Sequence, residues 1–138
     1  MGRILGIDYG EKRIGLAHTD EVKLIASPLD TIPSKEIFDY LKNYFVQENV
    51  ESIVVGEPKT LDNKPALISK KIQLFTNKLT ALFDKPIYLV DERFTSKMAI
   101  NTMVFLKTKK SRRRDKSLVD KISATIILQS YLDIIEKK

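Results

Sequence analysis

Two short apolar runs, each lying between helical patterns, constrain the fold of this chain most strongly. The runs are Ser52–Gly56 and Ile87–Val90, and an acidic residue follows each of them directly. Continuous apolar runs of this length are typical of strands that are buried on both faces, as in parallel sheets covered by helices. The sequence therefore predicts a sheet with helices packed on both sides.

The N-terminal part of the chain has a different pattern, which predicts antiparallel strands. Apolar residues at positions 4–7 and 14–17 flank the turn Tyr9–Lys12, where Gly10 gives the backbone the freedom to reverse. A third strand is expected around Lys23–Ser27 and is expected to end at Pro28. An antiparallel meander followed by alternating helices and strands predicts a mixed five-stranded α/β sheet.

Four helices are predicted from apolar residues at helical spacing. They begin at about Ser34, shortly after Pro65, at Thr95 or Ser96, and at Ser117. With 138 residues and no low-complexity linker, residues 1–138 are expected to form one domain.

Composition narrows the chemistry that the chain can support. It has no cysteine and a single histidine, His18, which excludes disulfides, a structural Cys/His zinc site and a cysteine nucleophile. Any metal site must use oxygen ligands, which favours Mg²⁺ or Mn²⁺. No apolar run reaches the roughly 18 residues of a membrane span and no signal peptide is visible, so a cytoplasmic protein with no membrane partner is expected.

The net charge of +6 comes from one segment, Lys107–Lys116, which has seven basic residues and one acid. The other residues carry 17 basic and 17 acidic side chains and are neutral together. A charge run is often only a solvated loop, but this concentration of charge favours contact with the phosphates of a nucleic acid. The candidate contacts are Lys109, Lys110, Arg112, Arg113 and Arg114.

Three acidic positions stand at the ends of predicted elements. Asp8 ends the first strand, Asp91 and Glu92 end a later strand, and Asp120 lies in the first turn of the last helix. Each has an ordinary explanation: a turn hydrogen bond for Asp8, an ion pair with Arg93 for the second position, and a cap for the third. If the first strand is central, however, the three can converge.

Convergence of three carboxylates has an electrostatic cost that a metal ion removes. At about 5 Å and an effective dielectric of about 20, each pair would repel by about 3 kcal/mol. Divalent cations held by such acids activate water and stabilise the leaving oxygen in phosphodiester hydrolysis. The pattern therefore favours a metal-dependent nuclease.

Four segments of the chain resemble the YqgF family, whose members are described as pre-16S rRNA nucleases and as Holliday-junction-resolvase-like proteins. The segments are Gly6–Ala17 (GIDYGEKRIGLA), Val54–Pro58 (VVGEP), Asp91–Ser96 (DERFTS) and Val119–Leu132 (VDKISATIILQSYL). The resemblance covers nearly the whole chain. It implies a ribonuclease-H-like fold, a cytoplasmic location, and a role in maturing the 5′ end of the 16S rRNA precursor.

The resemblance also implies which residues form the site. The family's acidic residues match Asp8, Glu92 and Asp120, which are expected to be the catalytic residues and the ligands of Mg²⁺ or Mn²⁺. Arg13 and Arg93 also match family positions and are expected to position phosphate or neutralise charge. Glu57 stands where the family more often has leucine, so it is an alternative second acid.

Several functional alternatives remain open at this stage. An exonuclease and an endonuclease both fit this chemistry. A resolvase of branched DNA, which usually acts as a dimer, fits it as well. A non-catalytic module that binds RNA or the ribosome would need the acids only as caps and ion pairs. The Asp-x-Gly turn also occurs in ATPases of related fold, but those need two lobes. We expect a monomer or a weak dimer with pre-rRNA as its main partner.

Overall fold

The computed structural model describes residues 2–22, 25–57, 68–91 and 116–136. The strands are β1 (Arg3–Asp8), β2 (Arg13–Thr19), β3 (Ala26–Pro33), β4 (Val50–Glu57) and β5 (Ile87–Asp91). The helices are α1 (Ile37–Gln47), which follows a 3-10 turn at Ser34–Glu36, then α2 (Ile68–Phe83) and α3 (Lys116–Glu136). The helix predicted from Thr95 or Ser96 to about Leu106 lies outside the described residues.

The five strands form one mixed sheet in the order β3-β2-β1-β4-β5. β1 pairs antiparallel with β2 and parallel with β4, and β4 pairs parallel with β5. This arrangement confirms the predicted mixed sheet and the predicted N-terminal hairpin. It also makes β1 the central strand, which is the condition under which the separate acidic positions can meet.

The third strand differs from its prediction. It runs over Ala26–Pro33 and passes through Pro28, which was expected to end it. β3 lies at the edge of the sheet, where a proline does not interrupt a ladder of hydrogen bonds on both sides. The register between β2 and β3 also shifts at Ala17, the residue that faces Pro28. An irregularity at a sheet edge therefore accommodates the proline, and the strand continues.

The sheet has two buried faces, because side chains alternate along each strand. One face packs under α1 and α2, where Leu5 and Ile7 of β1 and Leu79 of α2 are each fully buried. The other face packs under α3 and includes Ile4 and Val54. Phe75 is buried in the first cluster, and Phe38, Phe45 and Phe83 pack against it.

Among the helices that the structure describes, none combines the length and apolar character needed to cross a bilayer.

Candidate functional site

Two glycines allow α3 to lie directly on the central strands. A Cβ atom on Gly15 would clash with the backbone oxygen of Asp120, and one on Gly6 would lie 2.8 Å from the Cβ of Leu128. Ser123 and Ala124 of α3 are both buried. Glycine on the strand and small residues on the helix together bring the backbones into contact.

This close packing brings Asp8 and Asp120 to the same place. Asp8 faces Gly15 across the β1–β2 ladder, so their Cβ directions share one face of the sheet. The Cβ position of Gly15 lies 3.1 Å from the Cβ of Asp120. With cross-strand Cβ atoms about 5 Å apart, the Cβ atoms of Asp8 and Asp120 lie no more than about 9 Å apart. Two acids that are distant in sequence therefore share one face at the carboxyl end of the central strand.

An arginine accompanies the two acids. The Nε of Arg13 donates a hydrogen bond to Oδ2 of Asp120 at 2.9 Å. Arg13 lies two residues before Gly15 on β2, so it projects from the face that α3 covers. The two side chains are 39% and 23% exposed, and ion pairs in such a setting contribute about 0–1 kcal/mol. Arg13 thus offsets the charge of Asp120, and because the ion pair is weak, Arg13 can leave it for another partner with little loss of stability.

The structure does not describe the second predicted acid or most of the predicted cations. Glu92, Arg93 and the five candidates of the basic segment, Lys109, Lys110, Arg112, Arg113 and Arg114, lie outside the described residues. Asp91, the residue before Glu92, ends β5 in register with Glu57 at the end of β4. For Glu57 the structure describes the backbone and not the side chain, so its role as an alternative acid stays a prediction.

His18 lies on the opposite face of the sheet, away from the acids. Its Nδ1 is 2.8 Å from the hydroxyl of Tyr44. Burial lowers the pKa of His18, and the positive charge of Arg3 lowers it further. A half-buried imidazole held by a tyrosine hydroxyl agrees with the structural role that is usual for a lone histidine near a strand end.

Gly15 is the residue of this site that the sequence analysis missed. The sequence analysis gave a role to Gly10, in the turn after Asp8, and treated Gly15 as part of an apolar strand. A glycine inside a strand is itself a signal, since it weakens the strand unless another backbone approaches closely.

The donor groups at this site suit a hard divalent cation. Asp8 and Asp120 offer carboxylate oxygens, the ligand type that Mg²⁺ and Mn²⁺ prefer. The hydroxyl of Ser123, one turn after Asp120, is buried and has no hydrogen-bond partner among the described residues. Within those same residues no group of three or more acidic or histidine side chains could hold a metal ion.

Solved structures with the same fold include two of RuvC from Thermus thermophilus. The chain superposes on RuvC in complex with a Holliday junction substrate with a TM-score of 0.59 at 18% identity, covering 99% of this chain and 96% of that one. A second RuvC structure gives a TM-score of 0.53 at 15% identity, with 98% and 96% covered. At this level of identity the similarity identifies the fold, which is ribonuclease-H-like, as predicted.

Curated relatives are far more similar in sequence. A protein of Christiangramia forsetii is 51% identical over 133 residues, covering 96% of this chain and 98% of its own. Relatives from Flavobacterium johnsoniae and Bacteroides fragilis are 49% and 48% identical, each again over 96% of this chain and 96% and 97% of their own. All three carry the name "Putative pre-16S rRNA nuclease".

The family model described as RuvX, Holliday junction resolvase, matches residues 2–134. These residues include all four segments on which the resemblance to the YqgF family rests. The match spans nearly the whole chain, and the curated relatives agree with it over the same length. The chain therefore belongs to this family of resolvase-like proteins.

Proposed function

We propose that this protein is a divalent-metal-dependent nuclease that hydrolyses phosphodiester bonds at the 5′ end of the 16S rRNA precursor. The observation that carries the proposal is the position of Asp8 and Asp120 on one face at the carboxyl end of the central strand. The names of the relatives support the choice of RNA as substrate. The concentrated positive charge at Lys107–Lys116 suits the phosphates of either nucleic acid. A nuclease with this substrate would work in the cytoplasm, where ribosomes mature.

Asp8, Asp120 and Glu92 would hold the cation, Mg²⁺ or Mn²⁺. When bound, it would supply Lewis acidity and a water activated at neutral pH. The carboxylates act as ligands and form no covalent intermediate, since water attacks the phosphorus. Arg13 and Arg93 would steady the scissile phosphate and offset its charge.

Lysines and arginines of the basic segment would hold the rest of the RNA through its phosphates. Such contacts position a strand without reading its sequence. Because each phosphate contact releases counterions, affinity should fall steeply as salt rises.

One alternative keeps the chemistry and changes the substrate to branched DNA. The description of the matching family, Holliday junction resolvase, favours it. Symmetric cleavage of a four-way junction usually needs two active sites, so a strict monomer in sedimentation would count against this alternative. A non-catalytic RNA-binding role is the other alternative, and it predicts no hydrolysis with any divalent ion.

The deciding experiment compares three substrates and two variants. Purified protein is incubated with a 5′-extended 16S precursor RNA, a single-stranded DNA and a four-way junction, with Mn²⁺ and with chelator. Asp8→Asn should reduce Mn²⁺-dependent cleavage at least about a hundredfold, because even residues that only support metal ligands contribute 10- to 100-fold.

Asp39→Asn provides the matched control. Asp39 is an exposed acid on α1, which packs on the opposite face of the sheet, so this variant should cleave as the natural protein does. Full activity in a folded Asp8→Asn protein would overturn the mechanism. Cleavage of the junction but not of the RNA would replace the proposed substrate with branched DNA.

A further inference from the structure

A cleft opens beside the β1–β2 turn, on the face of the sheet that α1 and α2 cover. Its volume is about 260 Å³, and its lining includes Tyr9, Phe38, Lys71, Phe75 and Lys78. Tyr9 directly follows Asp8, so the mouth of this cleft and the proposed catalytic edge meet at adjacent residues. Successive side chains on a strand point to opposite faces, so the cleft and the acids lie on opposite faces of the sheet at the same carboxyl edge.

Aromatic rings form the walls of this cleft. The ring centroids of Tyr9 and Phe75 are 4.9 Å apart, and those of Phe38 and Phe75 are 5.5 Å apart. Phe75 is buried, whereas Tyr9 and Phe38 are only partly buried. Leu74, at the rim, is 69% exposed. Flat, apolar, partly accessible surfaces are therefore available at the mouth.

Two lysines of α2 stand at the same cleft. Lys71 and Lys78 are seven residues apart, close to two helical turns, and so lie on one side of the helix. The Nζ of Lys71 is 3.2 Å from Oε1 of Glu11, but both side chains are more than half exposed, which makes this ion pair weak. The Nζ of Lys78 lies 4.3 Å from the centroid of the Phe38 ring. Both ammonium groups can leave these partners and contact a phosphate with little loss of interaction energy.

We propose that this cleft binds one unpaired nucleobase of the substrate strand, with Lys71 and Lys78 on the flanking phosphates. The inference rests on the proposed function and adds a substrate subsite to it. Aromatic side chains combined with cations are the usual recognition surface for single-stranded nucleic acid. The volume is slightly below that of most ligand pockets, which suits a single base better than a longer fragment.

This subsite would select for a strand that is single-stranded near the cleaved bond. A paired base is stacked within its helix and would have to leave that helix to enter the cleft. The cleft therefore favours RNA with an unpaired segment at the processing point over a continuous duplex.

The first test measures binding of a short single-stranded RNA by fluorescence anisotropy, with chelator present so that no cleavage occurs. Tyr9→Leu keeps apolar bulk and removes the ring, and it should weaken binding by roughly 5- to 150-fold. The control is Tyr131→Leu, which removes a ring that stacks on Tyr88 on the other face of the sheet. It should bind as the natural protein does.

The lysines are tested by the salt dependence of the same binding. Lys78→Ala should reduce the slope of log affinity against log salt by about 0.7, the value for one contact to a single strand. Lys70→Ala removes an equal charge from α2 outside the cleft lining and should change the slope much less.

A second measurement needs no variant and decides the matter if Tyr9→Leu does not fold. A single abasic position is moved along the RNA, and the affinity of the natural protein is measured for each. One position should weaken binding in the same range as Tyr9→Leu. Equal affinity at all positions, or natural affinity in a folded Tyr9→Leu protein, would overturn the subsite.

The outcomes also separate this inference from the proposed function. Base-dependent binding without any cleavage in Mn²⁺ would overturn the nuclease and leave the subsite standing. Normal cleavage by a protein whose RNA affinity is the same for every abasic position would overturn only the subsite.

Discussion

The two faces of the central sheet are held against their helices in different ways. Under α1 and α2, fully buried Leu5, Ile7 and Leu79 fill the space with large side chains. Under α3, Gly6 and Gly15 leave room for the backbone of the helix itself. Burial of apolar area stabilises the first face. On the second face, glycines fill less space than larger residues would, and α3 lies closer to the strands as a result. The close approach of α3 on this second face lets Asp120 share that face with Asp8.

The same contrast appears in two arginine–carboxylate pairs of nearly equal length. Arg3 Nε lies 3.0 Å from Glu48 Oε2, and Arg13 Nε lies 2.9 Å from Asp120 Oδ2. Arg3 also donates to the backbone oxygen of Thr19, so it ties the end of α1 to the sheet. Arg13 pairs with the acid that meets Asp8. Similar ion pairs thus serve structure on one face and the proposed site on the other.

The largest effect on stability is expected from Leu79→Ala on the α1/α2 face. Removing a fully buried leucine should lower the free energy of unfolding by about 2–5 kcal/mol, because it leaves a cavity in the larger cluster. Urea unfolding measures the loss. Cleavage per folded molecule should stay unchanged, and a selective loss of cleavage would contradict the separation between the two faces.

Gly15→Ala tests the other face and should affect function more than stability. The added methyl group meets the Asp120 backbone, so α3 has to move. Overpacking of this kind costs about 1–3 kcal/mol, and displacing Asp120 from Asp8 should remove most of the Mn²⁺-dependent cleavage.

Gly2→Ala is the matched control for this substitution. An added Cβ there lies 3.0 Å from the Cβ of Glu51, a tight contact remote from the Asp8–Gly15 pair. It should lower stability without lowering cleavage per folded molecule. Natural cleavage in Gly15→Ala would mean that the position of α3 does not matter for the reaction.

The sheet could be predicted from the sequence because each of its central strands coincides with a local run of apolar residues. Ser52–Gly56 and Ile87–Val90 consist mainly of apolar residues, and the strands containing them, β4 and β5, extend at most two residues beyond either end. The hairpin followed from apolar runs around Gly10. The bounds of β3 could not be predicted, since whether Pro28 ends a strand depends on whether that strand lies at an edge.

The site could be predicted only as a set of residue types. Asp8 and Asp120 stand out as acids at the ends of elements, but their meeting depends on the pairing of Asp8 with Gly15 and on a helix that arrives more than 100 residues later. Register and helix position are tertiary facts that no local pattern encodes. For the same reason Arg13 was expected to position phosphate or neutralise charge, but its particular partner, Asp120, could not be foreseen.

The smallest effect on stability is expected from Arg13→Gln. Comparing this variant with Arg3→Gln tests whether the two ion pairs have different roles. Arg13→Gln should change the free energy of unfolding by less than about 1 kcal/mol, because its ion pair is partly exposed. Its effect should appear instead in metal binding, measured by calorimetric titration with Mn²⁺. Removing a guanidinium that competes for Asp120 Oδ2 should tighten Mn²⁺ binding by up to about tenfold, the equivalent of about 1.4 kcal/mol.

Arg3→Gln should leave Mn²⁺ affinity unchanged and cost more stability, since Arg3 also loses its hydrogen bond to Thr19. If Arg13→Gln instead weakens Mn²⁺ binding, the guanidinium orients Asp120 as a ligand rather than occupying it. If both variants leave Mn²⁺ affinity unchanged, the two pairs are equivalent, and the α3 face has no special electrostatic role. If the two faces differ as described, Arg13→Gln changes Mn²⁺ affinity and Arg3→Gln does not, while both proteins keep the same fold.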